Sequence, residues 1–164
     1  MWNDADLPLG YLITFRCYGT WLHGDERGSI DRHNNVYGTP KYGREEHWKK
    51  ISADRLKHPP VMLNKRMRLC VERAIRETCI FRDWGLGAVN VRTNHAHAVV
   101  RTPESPSIVL NALKANSTRQ MREDGCWPHF YSPWSDRGSE RWLWTEKQIF
   151  DAIRYVDEGQ GLQL

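Results

Sequence analysis

An α+β fold follows from three observations on this 164-residue chain: an antiparallel sheet with two helices on one face and a tyrosine-bearing C-terminal helix near the other. First, β-branched and aromatic runs with partial alternation are interleaved with runs of helical period, in the order strand, helix, strand, strand, helix, strand. Second, the two middle strands are separated by only Thr93-Asn94, so they predict a hairpin. Third, one more amphipathic run follows the final strand. This order is ferredoxin-like, with both crossover helices on the same sheet face. No repeat, low-complexity tract or linker divides the chain, so residues 1–164 read as one domain.

Tyr11 to Tyr18 predicts the first strand. From Gly19 to Pro60 the chain is polar and rich in Gly, His, Asn and Pro, a connection too long to be a plain loop. Its aromatics (Trp21, Tyr37, Tyr42, Trp48) suit either base stacking or pinning the segment to the body. Val61 to about Asp83 predicts a helix, because Met67, Cys70, Val71, Ala74, Ile75 and Thr78 recur at helical spacing. Trp84 to Gly87 then reads as a turn into a strand over Ala88–Arg92, followed by a strand from His95. Ser105 stands at the start of a second helix that runs to Glu123, with Leu110, Leu113 and Met121 inward and Lys114, Arg119 and Arg122 outward. Gly125 to Gly138 is irregular and aromatic-rich, and Arg141 to Thr145 makes a short last strand. Thr145 and Gln148 form a capping box that opens a helix over Glu146–Glu158.

The composition is that of a soluble globule, at 40% hydrophobic and 27% charged residues. No apolar run is long enough to span a bilayer, and the acidic N-terminus lacks a signal-peptide pattern, which predicts a cytoplasmic protein. Cys17, Cys70, Cys79 and Cys126 have no Cys-x-x-Cys spacing and read as reduced, mostly buried thiols. The net charge is only +4, but Val61 to Arg122 holds eleven basic and four acidic side chains. That local excess suits a phosphate-rich partner, and suits equally a pair of solvated helix faces.

The densest chemistry lies in Asn90 to Val100. His95 and His97 alternate with Ala96 on a strand, so both imidazoles face one side of the sheet. Across a two-residue turn Arg92 falls opposite His95, and Asn90 opposite His97. The opposite side collects Val89, Val91, Ala96, Ala98 and Val100, an apolar set for covering helices. Imidazole pairs of this kind ligate divalent ions, but two ligands need a third.

On the last helix Ile149, Ala152, Ile153 and Val156 form one stripe. Tyr155 lies off it, on a flank with Gln148 and Asp151. Spacing alone leaves two readings open: a nucleophile aimed at the histidine face, or a boundary tyrosine with a packed ring and a wet hydroxyl.

His95-Ala96-His97, a second basic helix, Trp142-Leu143-Trp144-Thr145, and then a helix with Tyr155 that ends near Gln160 together resemble the single-tyrosine HUH transposases, both insertion-sequence and REP-associated. The resemblance runs from the first strand to Gln160. It implies a metal-dependent endonuclease and strand transferase, active in DNA transposition, that cuts and rejoins single-stranded, hairpin-forming DNA, usually as a homodimer. It assigns Tyr155 as the nucleophile, forming a 5′-phosphotyrosine, and His95 and His97 as ligands of Mg²⁺ or Mn²⁺. The third ligand is expected four residues past the tyrosine, where this chain has Gly159; Gln160 stands one position late and Glu158 one early. Arg92 would contact phosphate near the histidines, and Lys114, Arg119 and Arg122 the DNA backbone. Two alternatives stay open. One is a catalytically weak or inactive hairpin-DNA-binding protein derived from such a transposase; the other is a metal-dependent hydrolase that needs no tyrosine.

Overall fold

The computed structural model describes residues 7–20 and 56–158. In chain order the elements are β1 (Gly10–Cys17), α1 (Lys65–Phe81), β2 (Gly85–Val91), β3 (His95–Arg101), α2 (Pro106–Glu123), β4 (Trp134–Leu143) and α3 (Glu146–Glu158). The strands form one sheet in the order β2-β3-β1-β4, every neighbouring pair antiparallel. This is the expected α+β arrangement. Trp21, Tyr37, Tyr42, Trp48, Gly159 and Gln160 lie outside the described residues.

Alternation sorts the side chains of β1 and β3 onto two faces. Tyr11, Ile13, Phe15, Ala96, Ala98 and Val100 meet α1 and α2 in the main core. Every residue of the α1 stripe read from the sequence is buried there. Phe15 is fully buried and packs edge-on against Trp134, ring centroids 4.8 Å apart. Leu12, Ala88, Val99 and Leu143 point the other way and seat Ile149, Ala152 and Val156 of α3.

All four cysteines are free thiols, three of them buried and Cys126 half-buried. Burial, reinforced by the neighbouring Asp124 and Cys126, pushes the Cys70 thiol up to about 12, so it stays protonated at neutral pH.

Three boundaries differ from expectation, each for a local reason. The turn before β2 is made earlier, by Asp83 at φ 58°, in a Schellman pattern where Trp84 N–H donates to the Cys79 carbonyl and Asp83 N–H to that of Ile80. Gly85 to Gly87 therefore belongs to β2, with a register shift between Leu86 and Ala88. Gly87 lies under α3: a Cβ there would stand 2.9 Å from Ile153 Cδ1. Helix α1 begins at Lys65, because Asn64 caps it by accepting from Met67 N–H at 2.9 Å. The last strand is twice as long as read, since β4 starts at Trp134 paired with Cys17. Its polar middle carries no strand signal; pairing with β1 makes it a strand, and Gly138 lets the backbones meet, where a Cβ would lie 2.6 Å from the Thr14 carbonyl oxygen.

Candidate functional site

The turn at Thr93-Asn94 is a tight hairpin: Arg92 N–H donates to the His95 carbonyl at 2.8 Å, and Asn90 pairs with His97. Register on the other side sets Thr14 beside His97 and Arg16 beside His95. The two imidazoles lie with ring centroids 4.6 Å apart. His97 is buried, with Nδ1 2.7 Å from Thr14 Oγ1. His95 is half-buried, with Nδ1 2.6 Å from Asn94 Oδ1. A carboxamide oxygen only accepts, so His95 donates to it through Nδ1. This is how ligating histidines are usually oriented, with one nitrogen held by a polar neighbour and the other turned to a cation.

Helix α3 crosses this face and is fixed at both ends. The Arg101 guanidinium grips the Glu146 carboxylate through two bonds, at 2.7 and 3.0 Å, and holds that carboxyl below its usual range. At the far end Asn90 Nδ2 donates to the Val156 carbonyl at 3.0 Å. The N-terminal cap departs slightly from the expected box. Thr145 Oγ1 accepts from Gln148 N–H, but Gln148 Oε1 accepts from the N–H of Trp144 rather than that of Thr145.

So anchored, α3 presents Tyr155 to the histidines. The ring is 47% exposed, and its centroid is 5.6 Å from that of His97. Between helix and sheet lies an open cleft of about 460 Å³, walled by Thr14, Arg16 and His97 from the sheet centre, Ser139 and Arg141 from β4, and Gln148, Asp151 and Tyr155 from α3. The flank read from the helical wheel is the one that faces it.

The other predicted residues are spread more widely. Glu158 ends α3 with its carboxylate 3.5 Å from Arg154 Nε, and it does not line the cleft. Arg92 is at the hairpin turn, half-buried. Lys114, Arg119 and Arg122 are on α2, across the sheet from the histidines. Lys114 is half-buried rather than exposed: its ammonium donates to the Ser135 carbonyl at 2.7 Å, and burial lowers its pKa. Arg122 donates to the carbonyls of His129 and Phe130. Four polar cleft residues escaped the sequence reading: Thr14, Arg16, Ser139 and Arg141. They alternate correctly on β1 and β4, but only the inter-strand register shows that they share the histidine face.

As a cation site the pair fits in part. His95 and His97 would supply two ligands, and among the described residues no third His, Cys, Asp or Glu joins them.

One solved structure aligns with 95% of this chain and 68% of its own, with a TM-score of 0.52 and 12% sequence identity. It is a REP-associated tyrosine transposase bound to a REP hairpin. The fold is shared with a tyrosine transposase. No protein-family model matches the chain, and no curated protein matches it in sequence. Among the described residues no helix is long and apolar enough to cross a membrane.

Proposed function

We propose that this protein is a metal-dependent endonuclease and strand transferase for single-stranded DNA, with Tyr155 as its nucleophile. The observation that carries the reading is the half-exposed Tyr155 ring beside His97, over a cleft lined with basic and polar side chains. The likeness in fold to a transposase bound to a hairpin favours hairpin DNA as the partner. The homodimer implied by the resemblance belongs to the same proposal, as does the cytoplasmic location expected from the sequence.

In this mechanism Tyr155 Oη attacks the scissile phosphorus in line. A phosphorus–Oη bond forms as the bond to the 3′-oxygen breaks. The phenolic proton passes to solvent, and the leaving oxygen takes one up to become a 3′-hydroxyl. Attack by a 3′-hydroxyl on the phosphotyrosine reverses the step, so rejoining needs no external energy source. Thr14 and Asn94 hold the imidazoles of His97 and His95 in place. His95 and His97 would hold a divalent ion, Mg²⁺ or Mn²⁺, which would polarise the phosphate and offset charge developing on its oxygens. Gln160 remains the proposed third ligand; Glu158, turned to Arg154, is the weaker choice. Arg92 would meet the backbone near the turn, and Lys114, Arg119 and Arg122 would meet it only outside the cleft.

The test is a denaturing gel of protein incubated with labelled single-stranded hairpin DNA and Mg²⁺ or Mn²⁺. A covalent adduct is expected, lost in Tyr155→Phe and on chelation, and restored by added metal. Cleavage that persists in Tyr155→Phe would overturn the role of the tyrosine in favour of hydrolysis. A second reading, hairpin binding without cleavage, is favoured by the absence of a third acidic or imidazole ligand among the described residues. Retarded DNA on a native gel with no cut strand would select it.

A further inference from the structure

The cleft has two guanidinium groups that the nucleophile and the histidines leave without a role. Arg16 comes from β1, directly across from His95. Arg141 comes from β4, across from Leu12. Both line the cleft with His97 and Tyr155. Leu12 and Arg16 are four residues apart on one strand, so the two arginines are anchored about 13 Å apart along the sheet. The row formed by His97, Thr14 and Ser139 lies between them. Among the described residues the carboxylate in the wall is that of Asp151, met by Lys147 at 2.8 Å, which tempers its repulsion of an anion.

We propose that Arg16 and Arg141 grip the sugar–phosphate backbone of one DNA strand laid along this cleft, Arg16 at the phosphate beside the histidines and Arg141 at a phosphate further along. The inference rests on the proposed function and specifies how that site holds its substrate. A planar fork that stays charged at all working pH values suits phosphate oxygens. Two forks at separated points on one wall recognise an extended polyanion, where a mononucleotide would reach only one. The contacts are to backbone, so they fix register and direction and carry no base preference.

The experiment is fluorescence anisotropy of an oligothymidylate, long enough to cross the cleft, titrated with full-length protein over a range of salt concentrations. A phosphate contact on a single strand contributes about 0.7 to the slope of log affinity against log salt. Arg16→Gln and Arg141→Gln are each expected to flatten the slope by about that amount and to weaken binding about tenfold at low salt. Arg16→Lys and Arg141→Lys keep the slope, since the charge remains, while affinity falls with loss of the fork. Arg76→Gln, on the outer face of α1 beside Glu72, is the control and changes neither. Unchanged slopes in both cleft variants, with circular dichroism showing them folded, overturn the proposal. If Arg16→Gln fails to fold, exposed Arg141→Gln decides alone.

The adduct assay separates this failure from failure of the function. An adduct with unchanged slopes leaves the nucleophile standing and removes the grip. Flattened slopes without any adduct keep the grip and remove the strand transfer. Absence of salt-dependent binding by the unaltered protein overturns the grip outright.

Discussion

The two faces of the sheet are built to different standards. Among the described residues, twenty-two buried side chains form the core under α1 and α2, against seven under α3. The first face is apolar along β1 and β3, so it seals, and at the edge strand β4 a charged residue, Glu140 opposite Ile13, stands on it. The second has only enough apolar surface to seat one helix, and its other positions, among them Thr14, Arg16, His95, His97, Ser139 and Arg141, are polar. A single sheet can therefore separate stability from chemistry: one face supplies the folding energy, and the other carries groups that would be costly to bury in a continuous core.

Substitutions can break that division of labour. The largest stability effect is expected on the sealed face, where Phe15→Ala removes a fully buried ring packed on Trp134 and should cost about 3–5 kcal/mol in urea denaturation. Ile149→Ala, on the smaller cluster, should cost about 2 kcal/mol, because a surface helix can settle into the space. It should also weaken adduct formation out of proportion, since α3 carries Tyr155. Gly87→Val should cost about 1–2 kcal/mol by wedging Ile153 away from the sheet. In this case adduct yield is the sharper readout, and an unchanged yield would show that the seat of α3 does not position the tyrosine. Smallest is Tyr155→Phe, expected to shift stability by no more than about 0.5 kcal/mol, because the ring is half in solvent, while abolishing the adduct. A larger loss of stability would assign the hydroxyl a structural role.

The legible parts of the molecule are those governed by local periodicity. The buried stripe of α1, the bounds of α3 and the pairing of Asn90 with His97 all follow from spacing along one segment. β4 was legible only at its end, because Ser135 to Glu140 has neither alternating hydrophobicity nor β-branched residues. Arg16 and Arg141 were invisible as site residues for a related reason, since nothing in either segment records its partner strand. Lys114 shows the reverse error: a charged side chain at a plausible outward position is turned to a carbonyl by a strand twenty residues away.

By itself, then, the sequence determined which side chains share a face of each element, because a backbone with fixed rise and twist repeats every 2 or 3.6 residues whatever it packs against. It set the two imidazoles side by side and the phenol on a polar flank. Tertiary structure alone decided that these meet, that two arginines join them, and that Glu158 turns aside. Those outcomes depend on strand register and helix seating, which are set by contacts between segments distant in the chain.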